Sequence, residues 1–448
     1  MDNIRSMKSS KYNMFVEEHD NVLVFNSLSK ETIRVDASKK DRIVDALRLN
    51  KIDKITDLEI DLLHRHGMIV NQVTEEDALA IYQYNKIVYN TSDLHLVVIP
   101  TMDCNFKCVY CPQRHSETKM SDDIANAIIM YVKRHAKQYK RVFIDWFGGE
   151  PMLQKETVKH IMKSVKNICK ENRVILISAL TTNGYELDVD SFNDFVNNGI
   201  LHYQVSVDGD ESTHNASRPH ASNPDSFKKI ISNLLAIKEH ATKRYFNIGI
   251  RINVSPQNYD QIDSMIEYYQ ANFLDDHRFQ MLWHWVRDWG GVDDNKEKRQ
   301  LYKSSSDICR SFYQMCLDRG LKSVDYMSCK TGMSICEASK ANAFVINYDG
   351  KIYKCAMLLD DPKVGDNNYI GQLNYDGKMQ LSESKIARWL VSTVEHSECK
   401  DCLHYPMCMG CSCPYVSNFK DEISCISDRD ISDLHIRNIA LIKTIPQL

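Results

Sequence analysis

Three cysteines, Cys104, Cys108 and Cys111, follow directly on the apolar run Leu94 to Thr101, which reads as a β-strand. Three thiolates spaced in this way can hold three irons of a [4Fe-4S] cube and leave the fourth iron open to a ligand. A zinc site is the alternative chemistry. It favours Cys-x2-Cys pairs with a fourth ligand close by, and Asp103 and His115 are poor substitutes for one. Three further polar segments each follow a candidate strand. The first is Phe147-Gly148-Gly149-Glu150-Pro151, whose glycines permit close backbone approach and whose Glu150 can accept from an ammonium. The second is Thr182-Asn183-Gly184. The third is Ser206-Val207-Asp208-Gly209, with His214, Asn215, Arg218 and Pro219 downstream. Arg251 and Asn253 on the next candidate strand are weaker candidates.

A second group of cysteines lies near the C-terminus. Cys329, Cys336 and Cys355 come first, then Cys399, Cys402 and Cys408, then Cys411, Cys413 and Cys425. Between Cys336 and Cys355 the stretch AFVINYDGKIYKC has the pattern of a hairpin with an Asp-Gly turn, which brings those two cysteines near one another. A double zinc ribbon is the alternative for this region. Cys169, Cys309 and Cys316 read as ordinary buried or linker thiols, although Cys309 and Cys316 share a helical spacing.

The elements that must position these groups alternate between strand and helix from Leu94 onward. LHLVVIPT, RVFIDWFGG, RVILISALTT, HYQVSVDG, FNIGIRINV and RFQMLWHW are six candidate strands. Amphipathic stretches lie between them, several opening on Ser or Asp as caps. Six repeats predict a partial (β/α)6 TIM barrel rather than a closed eight-fold one. Functional groups of such barrels gather at the C-terminal ends of the strands. Before this region, NMFVEEH and NVLVFNSLSKETIRVD predict strands of a hairpin, DRIVDALRL and TDLEIDLLHRHG predict helices, and MIVNQ predicts a closing strand. Together these read as a small winged-helix-like α+β unit. The expected organisation is a first module over 1–88, the barrel over 92–300, a partly helical linker over 301–325 and a cysteine-rich module over 326–448.

The cysteine trio, with the aromatic Tyr110 before its last member, resembles the signature of the radical S-adenosylmethionine (SAM) superfamily. Gly148-Gly149-Glu150 resembles that superfamily's motif for the SAM amino group. Thr182-Asn183 and the Ser206, Asp208, His214, Arg218 segment resemble those of its peptide-modifying members. The resemblance implies that Tyr110, Gly148, Gly149, Glu150, Thr182, Asn183, Ser206, Asp208 and Arg218 line the cofactor. The later cysteines, with Ile370-Gly371-Gln372-Leu373, resemble a SPASM domain, which implies two auxiliary [4Fe-4S] clusters and three in all. Cys329, Cys336 and Cys355 would serve the nearer one, and Cys399, Cys402, Cys408 and Cys425 the outer one. Family spacing places the nearer cluster's fourth cysteine between Cys411 and Cys413. Cys413 is favoured because it precedes Pro414, and with neither bound an iron would stay open to a substrate thiolate. The first 88 or so residues resemble the recognition elements that take up a leader peptide as an added strand. The implied function is a peptide maturase forming a thioether, with a carbon-carbon crosslink or formylglycine formation as alternatives and a non-catalytic zinc-binding regulator as the rival from another class. An electron donor such as flavodoxin or ferredoxin is implied as a partner. The catalytic base is not identified by any motif.

Bulk properties narrow the field. A chain of 448 residues exceeds what one core supports, so several domains are expected. A net charge of −4 gives no general reason to bind nucleic acid, and DASKKDRIVDALRLNKIDKITDLEIDLLHRHG balances its bases with acids. No apolar run of about 18 residues predicts a membrane span, and no signal-like segment opens the chain. A cytoplasmic protein is expected. In that compartment 15 cysteines point to metal binding rather than to a disulfide framework.

Overall fold

The computed structural model describes residues 6–256, 258–286, 306–321, 336–359, 365–390, 397–410, 413–419, 425, 432–442 and 444–448. Cys329 and Cys411 lie outside the described residues. The chain divides into two units. One comprises Met1–Tyr89, Ser304–Ser339 and Leu390–Leu448, and the other Asn90–Lys303 and Lys340–Trp389. The region expected as a single cysteine-rich module over 326–448 is thus shared between the two.

The first unit opens with β1 (Met7–Ser9), β2 (Asn13–Glu18), β3 (Asn21–Asn26), β4 (Glu31–Val35), α1 (Lys40–Arg48), α2 (Asp57–Arg65), β5 (Ile69–Asn71) and α3 (Glu76–Val88). Strands β2, β3 and β4 form an antiparallel sheet, and β1 pairs with β5. The run NVLVFNSLSKETIRVD therefore holds two strands. The break is local: Asn26 Oδ1 accepts from the amides of Leu28 (3.0 Å) and Ser29 (2.8 Å), and Lys30 takes a positive φ of 65°. Helix α3 has no counterpart in the sequence reading. It is docked by Glu76, which accepts from the Ser10 hydroxyl and the Lys11 amide. One face of the sheet, with Val22, Val24, Ile33 and Val35, packs against Ile43, Leu47, Ile60 and Leu63 of α1 and α2. Each such fully buried aliphatic contributes about 1.5–3 kcal/mol.

The second unit holds β6 (Asp93–Val98), α4 (Asp122–His135), β7 (Arg141–Trp146), α5 (Lys155–Asn172), β8 (Ile175–Thr182), α6 (Val189–Asn197), β9 (His202–Ser206), α7 (Glu211–Ser217), α8 (Ser226–His240), β10 (Asn247–Val254), α9 (Ile262–Asn272) and β11 (Phe279–Trp285). The six predicted strands all form and run parallel in sequence order, as a half-barrel requires. Val142, Ile144 and Trp146 are fully buried on one face of the sheet, while the alternate residues Phe143 and Asp145 are half-buried on the other. Ser121 and Asp188 cap α4 and α6 by accepting from Ile124 N and Ser191 N. Helix α10 (Ser306–Asp318) belongs to the first unit.

The sheet then grows at its β6 edge. Strand β12 (Ala343–Ile346) pairs parallel with β6, and β13 (Lys351–Tyr353), β14 (Tyr369–Leu373) and β15 (Met379–Leu381) follow antiparallel, giving ten strands among the described residues. The predicted Asp-Gly hairpin is β12–β13, with Gly350 at φ 78°. Helix α11 (Glu383–Leu390) follows; α12 (Tyr405–Cys408), α13 (Pro414–Phe419) and α14 (Ser432–Ile442) return to the first unit. There Ile436 and Ile439 of α14 cover the second face of the β2–β4 sheet, against Met14, Val16, Leu23 and Phe25. Among the described residues no helix is long and apolar enough to cross a membrane.

Glu59 holds α1 to α2. It completes a capping box with Thr56 and takes two bonds from Arg42, at 2.8 and 2.6 Å. The Arg42 hydrogen bonds are the largest cause of its carboxyl being held down to about 2 from an ordinary 4.5. Because the folded-state value is depressed, the stability it contributes is present above pH 4.5 and fades as pH falls towards 2. Glu59→Gln is therefore expected to destabilise the first unit by about 2 kcal/mol at pH 7 in denaturant unfolding. The difference from the parent chain should shrink steadily below pH 4.5.

Candidate functional site

The loop that leaves β6 carries Cys104, Cys108 and Cys111, all half-buried. It is shaped from within by Asp103 N donating to Thr101 Oγ1 (2.9 Å), Cys104 N to Asp103 Oδ1 (2.8 Å) and Phe106 N to Cys104 Sγ (3.4 Å). It is also paired antiparallel with residues 217–221. Lys107 N donates to Pro219 O (2.9 Å), Val109 N to Ser217 O (3.0 Å) and Ala221 N to Asn105 O (2.8 Å). This register sets Phe106 opposite His220 and, two residues on, Cys108 opposite Arg218. Both are non-hydrogen-bonded pairs, the kind whose side chains approach most closely. Phe106 meets His220 edge-on at 5.1 Å, and His220 stacks on Tyr185 at 4.1 Å.

The glycine pair after β7 presses against this same loop. A Cβ on Gly149 would stand 2.1 Å from Asp103 O, and one on Gly148, which has φ 121°, would stand 2.6 Å from Thr101 O. The close approach expected of these glycines is thus made to the cysteine loop's backbone. Gly149 N donates to Thr101 O (3.1 Å) and Glu150 N to Asp103 O (2.8 Å). Glu150 is 1% exposed and accepts from Thr182 Oγ1 (2.7 Å), Asn183 N (2.7 Å) and Met152 N (2.9 Å). Burial pushes its carboxyl up to about 6, against these bonds and the field of Arg218. A buried carboxylate so strained accommodates a cation beside it. Asn183 also reaches the loop, donating to Asn105 Oδ1 at 2.7 Å.

Tyr110, Asp208 and Arg218 come together with Asn253. The Tyr110 hydroxyl donates to Asp208 Oδ2 and accepts from Arg218 Nη1 (2.5 Å) and Asn253 Nδ2 (3.0 Å). Asn253 also donates to Asp208 Oδ1 through its main chain (2.7 Å) and side chain (3.0 Å). Arg218 Nη1 lies 3.6 Å from Asp208 Oδ2, and its guanidinium lies 5.6 Å from the Phe106 ring centroid. Ser206 ends β9 in register with Arg251, apart from this knot in the bonds described. The sequence reading missed Asn105, Asn258 and the Tyr185–His220 stack. Asn258 holds Asp208 O and Asn253 O at 3.2 and 2.9 Å. Their roles arise from long-range pairing that no local pattern encodes.

The donor set suits a thiolate-held cluster with an organic ligand at its open iron. The three thiols lie in one another's fields, and burial, the largest cause, raises Cys104 well above the ordinary thiol range and Cys108 to about 12. Arg218 acts in the opposite sense on Cys108. Among the described residues no group of three or more His, Cys, Asp or Glu could hold a single metal ion. Three thiols that share a field suit a cubane, where each sulfur meets its own iron. Buried donors without a partner among the described residues, Asn105 Nδ2, Gln113 Nε2 and Arg218 Nε, remain for acceptor groups of a ligand.

Of the later cysteines, Cys399, Cys402, Cys408 and Cys425 are brought together in the first unit. Burial raises the Cys408 thiol to about 12, with Cys402, Cys399 and Cys425 acting in the same direction and a hydrogen bond from Gly410 N opposing. That bond is made by a turn with φ 52° at Met409 and 70° at Gly410, and it favours a thiolate. Cys336 accepts from Ser339 N (2.9 Å), Cys355 N donates to Asn368 Oδ1 (2.8 Å), and Cys413 O accepts from Ser417 N at the start of α13 (3.0 Å).

Residues 98–269 match the model of the Radical SAM superfamily. The chain is 23% identical over 388 residues to the cysteine-type anaerobic sulfatase-maturating enzyme of Clostridium novyi (strain NT), covering 78% of this chain and 97% of that one. It is 21% identical over 368 residues to the radical SAM cyclopropyl synthase TigE of Paramaledivibacter caminithermalis, covering 68% and 76%. Among solved structures it is similar to native anSMEcpe with bound AdoMet and Cp18Cys peptide, with a TM-score of 0.59, 19% identity and coverage of 78% and 98%. It is also similar to Streptococcus suis SuiB bound to S-adenosylmethionine, with a TM-score of 0.50, 16% identity and coverage of 90% and 94%. These likenesses show the fold, an α/β arrangement with a large, mostly parallel sheet.

Gly149→Ala is expected to push the Asp103 carbonyl out of place and open the cysteine loop. Its iron content after anaerobic reconstitution should fall by about one cluster's worth, about four irons per chain, with far-ultraviolet circular dichroism unchanged. Full iron loading in this variant would show that the clasp does not shape the loop.

Proposed function

We propose that this chain is a cytoplasmic radical SAM peptide maturase that forms a thioether between a cysteine sulfur and a carbon of another residue in a ribosomally made precursor. The observation that carries the reading is the clasp between the Gly148-Gly149-Glu150 turn and the cysteine loop, which sets a fully buried carboxyl in the field of Cys104. When bound, a [4Fe-4S] cluster with SAM supplies a 5'-deoxyadenosyl radical that abstracts hydrogen, and auxiliary clusters supply an acceptor for the electron left after the carbon-sulfur bond forms.

The chain's own part is positional. Cys104, Cys108 and Cys111 hold the first cluster. Glu150 takes the ammonium of SAM, kept in place by Thr182 and Asn183. Arg218 offers its Nε, without a partner among the described residues, towards an acceptor group while Tyr110, Asp208 and Asn253 fix its orientation. Cys399, Cys402, Cys408 and Cys425 hold the outer auxiliary cluster, a reading supported by their shared field. Cys329, Cys336 and Cys355, with Cys413, hold the nearer one. The antiparallel β2–β4 sheet with α1 and α2 supports the reading of residues 1–88 as a winged-helix-like element that takes up a leader peptide. Flavodoxin or ferredoxin would supply electrons.

A second reading, oxidation of a substrate cysteine to formylglycine, is favoured by the similarity to the Clostridium novyi sulfatase-maturating enzyme. The product separates the readings: a thioether removes a pair of hydrogens and one thiol, a carbon-carbon link removes the hydrogens and spares the thiol, and formylglycine exchanges sulfur for oxygen and loses a pair of hydrogens as well. The anaerobically reconstituted protein is expected to contain about twelve iron and twelve sulfide per chain. Cys108→Ala should lose about four of each together with formation of 5'-deoxyadenosine from SAM. Cys408→Ala should lose about four of each and keep that activity. Zinc without sulfide would overturn the radical reading.

A further inference from the structure

A three-stranded sheet has two edges, and an added strand needs one of them. The β4 edge is already taken by the chain itself. Arg34 N donates to Pro446 O (2.9 Å), Leu448 N to Arg34 O (2.8 Å) and Asp36 N to Leu448 O (3.0 Å), and Arg34 pairs in parallel with Gln447. Gln447 Nε2 adds a bond to Asp36 Oδ1 at 2.6 Å. Two aliphatic side chains straddle the edge. Leu448, 7% exposed, enters the cluster of Val22, Val24, Ile33 and Val35, while Ile445 packs on the opposite face beside Met14, Val16, Leu23 and Phe25. Residues three apart in an extended segment point to opposite faces, so this straddling is what a genuine added strand does.

The attachment is also short. Pro446 has no amide hydrogen, so the ladder cannot extend towards Thr32. We propose that residues 445–448 are an exchangeable plug: they occupy the β4 edge as a surrogate strand, and an extended segment of the precursor peptide displaces them to dock. The incoming segment must carry aliphatic side chains for the Ile445 and Leu448 positions. Because the plug competes intramolecularly, at an effective concentration of order millimolar, it excludes extended peptides that lack this pair. The proposal rests on the reading of the N-terminal unit as a peptide-binding element.

The test is amide hydrogen exchange of residues 31–36 in the reconstituted full chain, in a chain truncated after Thr444, and in Leu448→Ser, each with and without the free hexapeptide Lys-Thr-Ile-Pro-Gln-Leu at millimolar concentration. Removing the plug should speed exchange at Arg34 and Asp36 at least tenfold while Ile33 and Val35, bonded to β3, keep their protection. The hexapeptide should restore the slow rate. Unchanged exchange on truncation, or acceleration that the hexapeptide fails to reverse, overturns the plug and leaves residues 445–448 as a fixed edge cap. If the truncated chain loses protection at Ile33 and Val35 as well, the Leu448→Ser variant decides by the same two criteria. Cleavage of SAM, measured separately, tests the maturase reading without moving any of these exchange rates.

Discussion

The site depends on a main-chain contact between two consecutive strand-end loops. Gly149 N and Glu150 N donate to carbonyls of the loop that carries the three cysteines, and the space between the backbones leaves no room for a Cβ. The placing of Glu150 follows from that approach. It directs the Glu150 carboxyl towards Thr182 and Asn183 at the end of β8, and Asn183 ties back to Asn105 within the cysteine spacing. Three strand ends are thereby locked into one arrangement by hydrogen bonds that combine main-chain and side-chain groups, which is a stiff way to fix side chains at a site.

A second lock comes from the opposite side of the loop. Its antiparallel pairing with residues 217–221 places a guanidinium beside Cys108, and the Tyr110 hydroxyl joins that guanidinium to Asp208 and Asn253. An arginine 6% exposed would be costly alone; here it has a carboxylate, a phenol and an aromatic face around it, while its Nε has no partner among the described residues. Positive charge next to the Cys108 thiol and a buried carboxyl at Glu150 are the two charged features of the site.

The cysteine-rich C-terminal part does not behave as an independent block. Strand β12 adds to β6 and carries a meander that extends the barrel sheet, whereas α14 and residues 445–448 complete the core of the N-terminal sheet. Two different needs explain the split: the β6 edge has main-chain groups that β12 pairs with, and the second face of β2–β4 has apolar side chains that α14 covers.

Much of this was legible from residue order. The six barrel strands, the helices between them, the Asp-Gly hairpin and the chemistry-bearing motifs follow from alternation, turn residues and short spacings, all of which act within about ten residues. The first 88 residues were legible in outline, but the turn after Asn26 and helix α3 were not, because one depends on a side chain bonding to its own backbone and the other on Glu76 reaching Ser10. The pairing of Cys108 with Arg218, the gathering of Asp208 with Asn253 and Asn258, and the strand that residues 446–448 add to β4 join positions tens to hundreds of residues apart. The sequence by itself determined which groups stand at the strand ends. Only tertiary structure decided which of them touch, because register between distant segments is set by packing and by where unsatisfied main-chain groups find partners.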